Sequence, residues 1–237
     1  GNRIRRLQEK GIIEHFFVRT NPSLLGYFHI RVYLRFHNIT EEKEKEMVNS
    51  LKKKEGVFWL ASMRGKYDLT ATIHINNFSE FSERYEQIFG PWAQYIIERN
   101  VVVLEKGSIY SRAYLLPKQK VEETTYSKGS EERVELDKVD LNLLRILNND
   151  GRKHLVEIAR KLKVSSDTVS YRISSLKKKK IITGFGTKIN YSKLGNSFYT
   201  IFLKMQNMNK LKYAKLETFA RLNRNVIYFI KCFGDHD

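Results

Sequence analysis

Apolar residues recur at every second position along the stretch that begins at Phe28. Phe28, Ile30, Val32, Leu34 and Phe36 alternate with His, Arg and Tyr, and this period of two predicts a strand with one buried face. Apolar runs predict further strands over residues 57–63, 68–75, 96–104 and 109–115. Apolar residues at helical spacing predict helices over residues 41–54 and 78–89. The resulting order, βαββαβ, predicts a ferredoxin-like α+β domain over residues 27–116.

Three helical patterns follow one another in the second half of the chain. The first, over residues 137–149, carries its apolar residues on one face. The next two meet at a turn near Lys163, and Ala159 is small enough for these helices to cross closely. Two apolar stretches after them predict a two-stranded wing. Residues 136–191 are therefore predicted to form a complete winged helix-turn-helix.

The third of these helices has one apolar face and one polar face. Ser165 is its predicted N-cap, and Val169, Ile173 and Leu176 form the apolar face. The remaining side chains are short hydrogen-bonding groups with one aromatic ring and one guanidinium: Ser166, Thr168, Tyr171, Arg172 and Ser175. Such a face fits a DNA major groove, but an ordinary solvated amphipathic helix presents the same pattern.

A run of lysines adjoins this helix and the predicted wing. Their positions in the sequence would let them reach DNA phosphates: Lys177, Lys178, Lys179, Lys180 and Lys188. For the four consecutive lysines the alternative is a solvated helix end that interacts with the helix dipole.

The composition favours a polyanionic partner. The chain has 237 residues and a formal net charge of +17, and each phosphate that a protein neutralises releases counterions from a nucleic acid. A merely soluble basic protein is the alternative. Cys232 is the single cysteine, which excludes an internal disulfide framework and fits a reducing compartment. Because the sequence shows neither a membrane-spanning run nor a leader peptide, we expect a cytoplasmic protein.

The sequence carries an internal repeat with an offset of 169 residues. This offset lays the segment from Asn2 to Asp68 without a gap on the segment from Tyr171 to Asp237. We call these segments the first copy and the second copy. Apolar and turn residues keep their register, since Ile4, Leu7, Ile12, Gly26 and Gly65 fall on Ile173, Leu176, Ile181, Gly195 and Gly234.

The repeat predicts a tandem organisation of the chain. Residues 1–26 would be the C-terminal part of a first winged helix-turn-helix, and residues 192–237 the start of a second, incomplete ferredoxin-like domain. Residues 117–135, rich in Lys, Glu, Ser and Thr, are predicted to be a mobile linker. On this interpretation the sequence is a piece of a longer tandem protein.

Several short motifs together resemble the leucine-responsive/AsnC (Lrp/AsnC) family of transcription regulators. They are Asp137-Lys138-Val139-Asp140, Leu144-Arg145-Ile146-Leu147, Asp150-Gly151-Arg152, Glu157-Ile158-Ala159, Ser165 to Arg172, Gly184-Phe185 and Leu194-Gly195. The resemblance covers nearly the whole chain outside the linker. It implies winged helix-turn-helix domains that alternate with ferredoxin-like ligand-sensing and oligomerisation domains. The sequence departs from the family at Lys180, where glycine is usual, and in carrying two units in tandem.

The resemblance also implies partners and binding residues. Double-stranded DNA would be contacted by Ser166, Thr168, Tyr171 and Arg172, and in the first copy by Arg3, Arg5 and Arg6. An amino-acid-like effector would bind near the turn that contains Arg64, Gly65, Tyr67 and Asp68, although Gly65 and Asp68 could simply form that turn. Homo-oligomerisation would use the ferredoxin-like domains.

Three functions follow from these observations. The leading hypothesis is a DNA-binding transcription regulator whose two non-identical units read unequal half-sites as a covalent pseudo-dimer. The alternative is an enzyme, because some tandem proteins similar to this family decarboxylate modified tetrapyrroles. Those enzymes carry histidine in the stretch that joins the wing to the sensing domain. The corresponding stretches here, residues 19–23 and 188–192, contain no histidine. A non-specific architectural DNA binder is the third. The sequence predicts no cofactor and no metal site, since its six histidines are scattered.

Overall fold

The computed structural model describes residues 2–115, 123–127 and 133–237. Within them the α-helices are α1 (Asn2–Glu9), α2 (Glu41–Leu51), α3 (Phe81–Phe89), α4 (Lys138–Asn149), α5 (Leu155–Leu162), α6 (Ser166–Lys178) and α7 (Lys210–Leu222). The strands are β1 (Ile13–Thr20), β2 (Phe28–Phe36), β3 (Val57–Ser62), β4 (Leu69–Ile75), β5 (Ile96–Tyr110), β6 (Glu123–Ser127), β7 (Ile182–Ile189) and β8 (Tyr228–Phe233).

The chain divides into two compact units, and each unit takes residues from both copies of the repeat. One consists of Gly1–Leu25 and Glu132–Ile201 and contains α1, β1, α4, α5, α6 and β7; we call it the helical unit. The other consists of Gly26–Glu131 and Phe202–Asp237 and contains the remaining helices and strands; we call it the sheet unit.

The sheet unit contains the predicted ferredoxin-like fold. Its antiparallel strands lie in the order β3-β4-β2-β5-β6, and β8 also pairs with β5. The elements β2-α2-β3-β4-α3-β5 follow the predicted βαββαβ order, so the α+β fold class is confirmed. Ile30, Val32 and Leu34 of β2 pack against Met47 of α2 and Phe89 of α3 in the core. Tyr33 on the opposite face of β2 is also buried. The polar and aromatic residues that alternate with the apolar ones in β2 therefore do not form a face that is open to solvent.

The helical unit is held together by the apolar faces of α4, α5 and α6. Leu143, Leu147, Ile158, Val169 and Leu176 of these helices are deeply buried, with exposures of 2% or less. Lys163 ends α5 in the left-handed conformation, with φ of 56°. This reversal turns the chain into α6, as the helix-turn-helix pattern predicts.

The wing differs in detail from the prediction. β1 and β7 pair with each other in an antiparallel ribbon, so each copy contributes one strand and not a hairpin of its own. Phe17 pairs with Gly186, its own counterpart in the repeat. A Cβ on Gly186 would lie 2.7 Å from the Phe17 ring, so the ribbon needs glycine at this position. Sequence patterns do not specify which strand is the partner, because both strands carry the same apolar skeleton.

Two other predicted elements are wrong in their bounds. The strand expected over 96–104 continues to Tyr110 as β5, because the polar residues after Leu104 also pair with neighbouring strands: Lys106 pairs with both β6 and β8. The strand expected over 109–115 is wrong beyond Tyr110, since Ala113–Leu115 form a 3-10 helix. Within the predicted linker, Glu123–Ser127 forms β6 against β5. The rest of the linker up to residue 132 lies outside the described residues.

Several equivalent turn positions of the repeat adopt the same backbone conformation, although the counterpart of β2, residues 197–205, forms no strand. Positive φ angles occur in pairs at Gly11 and Lys180, Gly26 and Gly195, Asn38 and Asn207, and Gly65 and Gly234. Asp68 accepts a hydrogen bond from the Phe36 amide at 2.7 Å, and Asp237 accepts one from the Met205 amide, the counterpart of Phe36, at 2.8 Å. The copies differ in burial, because Tyr199 and Ile201 are each 79% exposed whereas their counterparts Ile30 and Val32 are buried.

Candidate nucleic-acid interface

Helix α6 presents a continuous exposed stripe. Its exposed side chains recur at spacings of three and four residues and are Asp167, Ser170, Tyr171, Ser174, Lys177 and Lys178. Tyr171 near the middle of the helix is 74% exposed. Residues spaced in this way lie on one helix face, so this stripe is the part of α6 that a groove can receive. Ser170 and Ser174 were missed as candidate residues, although the helical phase set by Val169, Ile173 and Leu176 would have placed them here.

Four other predicted residues lie at the start or the margins of α6. Ser165 is the N-cap, and its hydroxyl accepts the amide hydrogen of Thr168 at 3.1 Å. Ser166, Thr168 and Ser175 are half-buried at the margins of the stripe. The Ser165 cap therefore has a structural role in fixing where the helix begins.

Arg172 faces α4 and not the outside, which corrects the prediction that it belongs to the outward face. Its Nη1 donates to Oδ2 of Asp137 at 2.6 Å and to Oδ1 of Asp140 at 2.9 Å. Asp137 is at the same time the N-cap of α4 and accepts the Asp140 amide at 2.7 Å. The amide and the guanidinium together hold the pKa of Asp137 below its usual range, and the two carboxylates raise the pKa of Arg172. Arg172 therefore links α6 to α4.

The lysines that follow the stripe differ in their surroundings. Lys177, Lys178, Lys179 and Lys180 are exposed, and Lys177 Nζ lies 5.7 Å from the centre of the Phe185 ring. Lys188 forms an ion pair with Glu14 across the β1–β7 ribbon at 3.0 Å. Part of the Lys188 charge is therefore already compensated within the protein, whereas Lys178 forms no ion pair with any of the described residues.

The corresponding helix of the first copy, α1, carries a different set of side chains. Arg3, Arg5 and Arg6 are exposed, and Arg5 pairs with Glu9 at 3.1 Å. Their counterparts in α6 are Arg172, Ser174 and Ser175. The two copies thus present unlike chemistry from the same helical positions.

The predicted effector residues occupy one loop of the sheet unit but do not form an open site. Tyr67 is 1% exposed and packs against Tyr33, with ring centroids 5.2 Å apart. Asp68 is used in the turn through the Phe36 amide. Arg64 and Gly65 are exposed, and nothing lies within 4 Å of a Cβ built on Gly65. Tyr67 and Asp68 therefore have structural roles, and of these two only Asp68 is a residue that the simple-turn interpretation assigns to the turn.

The described residues contain neither a metal-binding cluster nor a membrane-spanning helix. Within residues 2–115, 123–127 and 133–237, histidine, cysteine and acidic side chains form no group of three that could hold a metal ion. None of the helices in the described part of the chain combines the length and the apolar character that crossing a membrane requires.

Comparison with known proteins identifies relatives of the chain. The AsnC-type helix-turn-helix domain matches residues 136–177. The HTH-type transcriptional regulator Ptr1 of Methanocaldococcus jannaschii is 43% identical over 84 residues, which are 32% of this chain and 57% of the relative. An HTH-type transcriptional regulator of Pyrococcus furiosus is 32% identical over 105 residues, which are 44% of this chain and 69% of the relative. The chain belongs to the Lrp/AsnC family of transcriptional regulators. It spans about half to two thirds of the length of these Lrp/AsnC relatives.

A solved structure resembles the chain over nearly its whole length. The siroheme decarboxylase NirDL, in complex with an iron-uroporphyrin III analogue, matches with a TM-score of 0.51 over 98% of this chain and 69% of that chain. The sequence identity is 13%, so the likeness concerns the fold alone. The chain therefore resembles an enzyme in fold, whereas its relatives in sequence are transcriptional regulators.

Proposed function

We propose that the protein is a sequence-specific DNA-binding transcription regulator in which α6 enters a major groove through its exposed stripe. The observation that carries the proposal is the chemistry of that stripe. Two serine hydroxyls and one tyrosine ring occupy its centre, and lysines occupy its C-terminal end. Hydroxyl and aromatic groups contact base edges, whereas lysines contact phosphates.

The electrostatics support the same proposal. A net charge of +17 favours a polyanion, and the stripe itself combines one acidic residue, Asp167, with Lys177 and Lys178. A helix that bound DNA only through charge would not need three hydrogen-bonding or aromatic side chains between its ends. The stripe therefore favours sequence-specific binding over an architectural function.

The difference between α1 and α6 supports unequal half-sites. Arginines occupy the exposed positions of α1 where α6 has Ser174 and Ser175. Because palindromic operators mirror identical subunits, we propose an operator whose two halves differ. We also propose that residues 192–237 are the start of a second ferredoxin-like domain, with residues 1–26 the end of a first winged helix-turn-helix.

Selection from randomised double-stranded DNA tests the proposal. The bound sequences should converge on a motif with two unlike halves, and binding should weaken steeply as salt rises. Perfect inverted repeats, or no enrichment at all, would contradict it. The same selection with free amino acids present tests the proposed effector, and sedimentation with and without DNA tests homo-oligomerisation.

The tetrapyrrole decarboxylase is the alternative function, because the fold likeness to NirDL covers nearly the whole chain. The stretches that join ribbon to sheet, residues 19–23 and 188–192, contain no histidine, and this absence favours the regulator. Incubation with an iron tetrapyrrole distinguishes the two functions. A tetrapyrrole absorbance band that stays with the protein through gel filtration would support the enzyme, and its absence together with an enriched DNA motif would support the regulator.

A further inference from the structure

Helices α2 and α7 are counterparts in the repeat and can be compared position by position. Thr40 caps α2 by accepting the Lys43 amide, and Asn209, the counterpart of Thr40, caps α7 by accepting the Lys212 amide. Because both helices begin at the same repeat position with the same cap, each residue of α7 lies on the same helix face as its counterpart in α2.

The inward faces of the two helices agree in character. Met47 and Leu51 of α2 are fully buried. Their counterparts Leu216 and Ala220 lie on the covered side of α7, where Ala220 is 4% exposed. The inward face of α7 therefore needs no further partner to explain it.

The outward faces are opposite in character. Leu211, Phe219 and Leu222 are 66%, 65% and 70% exposed. Their counterparts in the first copy are the polar residues Glu42, Ser50 and Lys53. Three large apolar side chains on one helix face are an unusual feature of a free surface. Since the first copy keeps these positions polar, the ferredoxin-like fold does not require apolar residues there.

The charged residues of α7 itself are almost all positive. α7 carries Lys210, Lys212, Lys215 and Arg221, and its single acidic residue, Glu217, is paired with Lys106. A second copy of the chain would bring these cations against one another, on a protein with net charge +17. Charge complementarity therefore favours an acidic partner.

We propose that the outward face of α7, formed by Leu211, Phe219 and Leu222, is a docking surface for an acidic amphipathic helix of another protein. The apolar side chains of that helix would cover the three exposed residues, and its carboxylates would meet Lys215 and Arg221. This is the helix-on-apolar-face mode of recognition. The surface lies outside α6, so the proposal does not rest on the proposed reading of DNA.

A pair of synthetic peptides tests the proposal. Both are amphipathic helices of about four turns with the same leucine face; one carries glutamate on its polar face and the other lysine. Fluorescence anisotropy with the full chain should show binding of the acidic peptide only. In the variant Leu211→Glu, Phe219→Ser, Leu222→Lys, which installs the residues found at these positions in the first copy, binding should weaken about tenfold or more.

Two controls keep the result interpretable. Because the three substituted residues are exposed and their replacements occur at the equivalent positions of the first copy, the variant should unfold at the same temperature as the parent. The charge-reversed variant Lys215→Glu, Arg221→Glu should lose the acidic peptide and gain the basic one. Equal binding of both peptides would overturn the proposal. So would full binding of the acidic peptide by the triple variant Leu211→Glu, Phe219→Ser, Leu222→Lys. A dimer of the parent chain that this variant abolishes would also overturn it, because the occupant would then be a second copy.

Discussion

Lys66 donates a hydrogen bond to Asp235, its own counterpart in the repeat, with Nζ and Oδ2 3.3 Å apart. The contact joins equivalent positions of the two copies, so the two corresponding loops lie side by side here. Asp235 also accepts from Lys204 at 3.3 Å, and these two lysines hold the pKa of Asp235 below its usual range. The loop predicted to bind an effector therefore contacts the corresponding loop of the second copy.

Charge exchange tests this relation. Asp235→Lys places three lysine ammonium groups together and should lower the denaturant midpoint. The double variant Lys66→Asp, Asp235→Lys should recover part of the loss, because the pair is restored in the opposite sense. The measurement is the coupling in a double-mutant cycle. Additive effects of the two substitutions would show that the pair contributes nothing.

Lys180 holds a backbone conformation that its counterpart Gly11 adopts without strain. Their φ angles are 59° and 63°, and a left-handed conformation costs a residue with a side chain about 1–2 kcal/mol. We expect Lys180→Gly to raise the free energy of unfolding by about 1 kcal/mol in urea titrations. Gly11→Ala is the matched control and should lower it. A destabilised Lys180→Gly variant would contradict the account.

Arg172 is predicted to act within the protein and not on DNA. Arg172→Gln should lower the unfolding temperature of the protein, since Asp137 and Asp140 lose their shared partner. The slope of log affinity against log salt should remain that of the parent. If the slope instead fell by about 1 with unchanged stability, Arg172 would be a phosphate contact in the complex.

The lysines near α6 should differ in how strongly each contributes to the salt dependence of DNA binding. Lys178→Gln removes an exposed charge on the stripe and should reduce the salt slope by about 1. Lys188→Gln is the matched control, because Glu14 already compensates that charge, and its effect on the slope should be smaller. Equal effects on the slope measured by anisotropy would mean that the Glu14 pair opens on DNA.

A histidine pair in the sheet unit predicts how stability depends on pH. His74 Nε2 and His29 Nδ1 lie 3.1 Å apart, so one donates and the other accepts. Burial, assisted by Arg31, lowers the pKa of His29 to about 4, and burial together with His29 lowers the pKa of His74 to about 3.

The unfolded chain takes up these protons near pH 6.5 and the folded chain does not. The unfolded state therefore binds more protons below pH about 6.5, and the free energy of unfolding should fall as pH drops from there toward 4. His74→Gln should make the fall shallower, whereas His37→Gln, at an exposed position, should leave it unchanged. Parallel curves for the parent and His74→Gln would contradict the prediction.

Local patterns predicted the parts of the structure that local physics determines. The alternation in β2, the Ser165 cap and the apolar face of α6 follow from residues within one turn or one strand. Arg172 was misplaced because its partner Asp137 lies 35 residues away, and helical phase alone cannot supply a distant carboxylate. β6 was missed because ladder hydrogen bonds are made by the main chain, so a polar stretch can form an edge strand without apolar alternation.

The ribbon of β1 and β7 joins strands that are far apart in the chain. β1 ends at Thr20 and β7 begins at Ile182, so this pairing contributes contacts of high sequence separation, which form slowly. The helices α4, α5 and α6 can assemble from local contacts before the ribbon closes. During synthesis β1 leaves the ribosome long before β7 exists. Until then β1 has an unpaired strand edge to which other chains can bind. Misassembly is therefore most favoured during the time between the synthesis of β1 and the synthesis of β7.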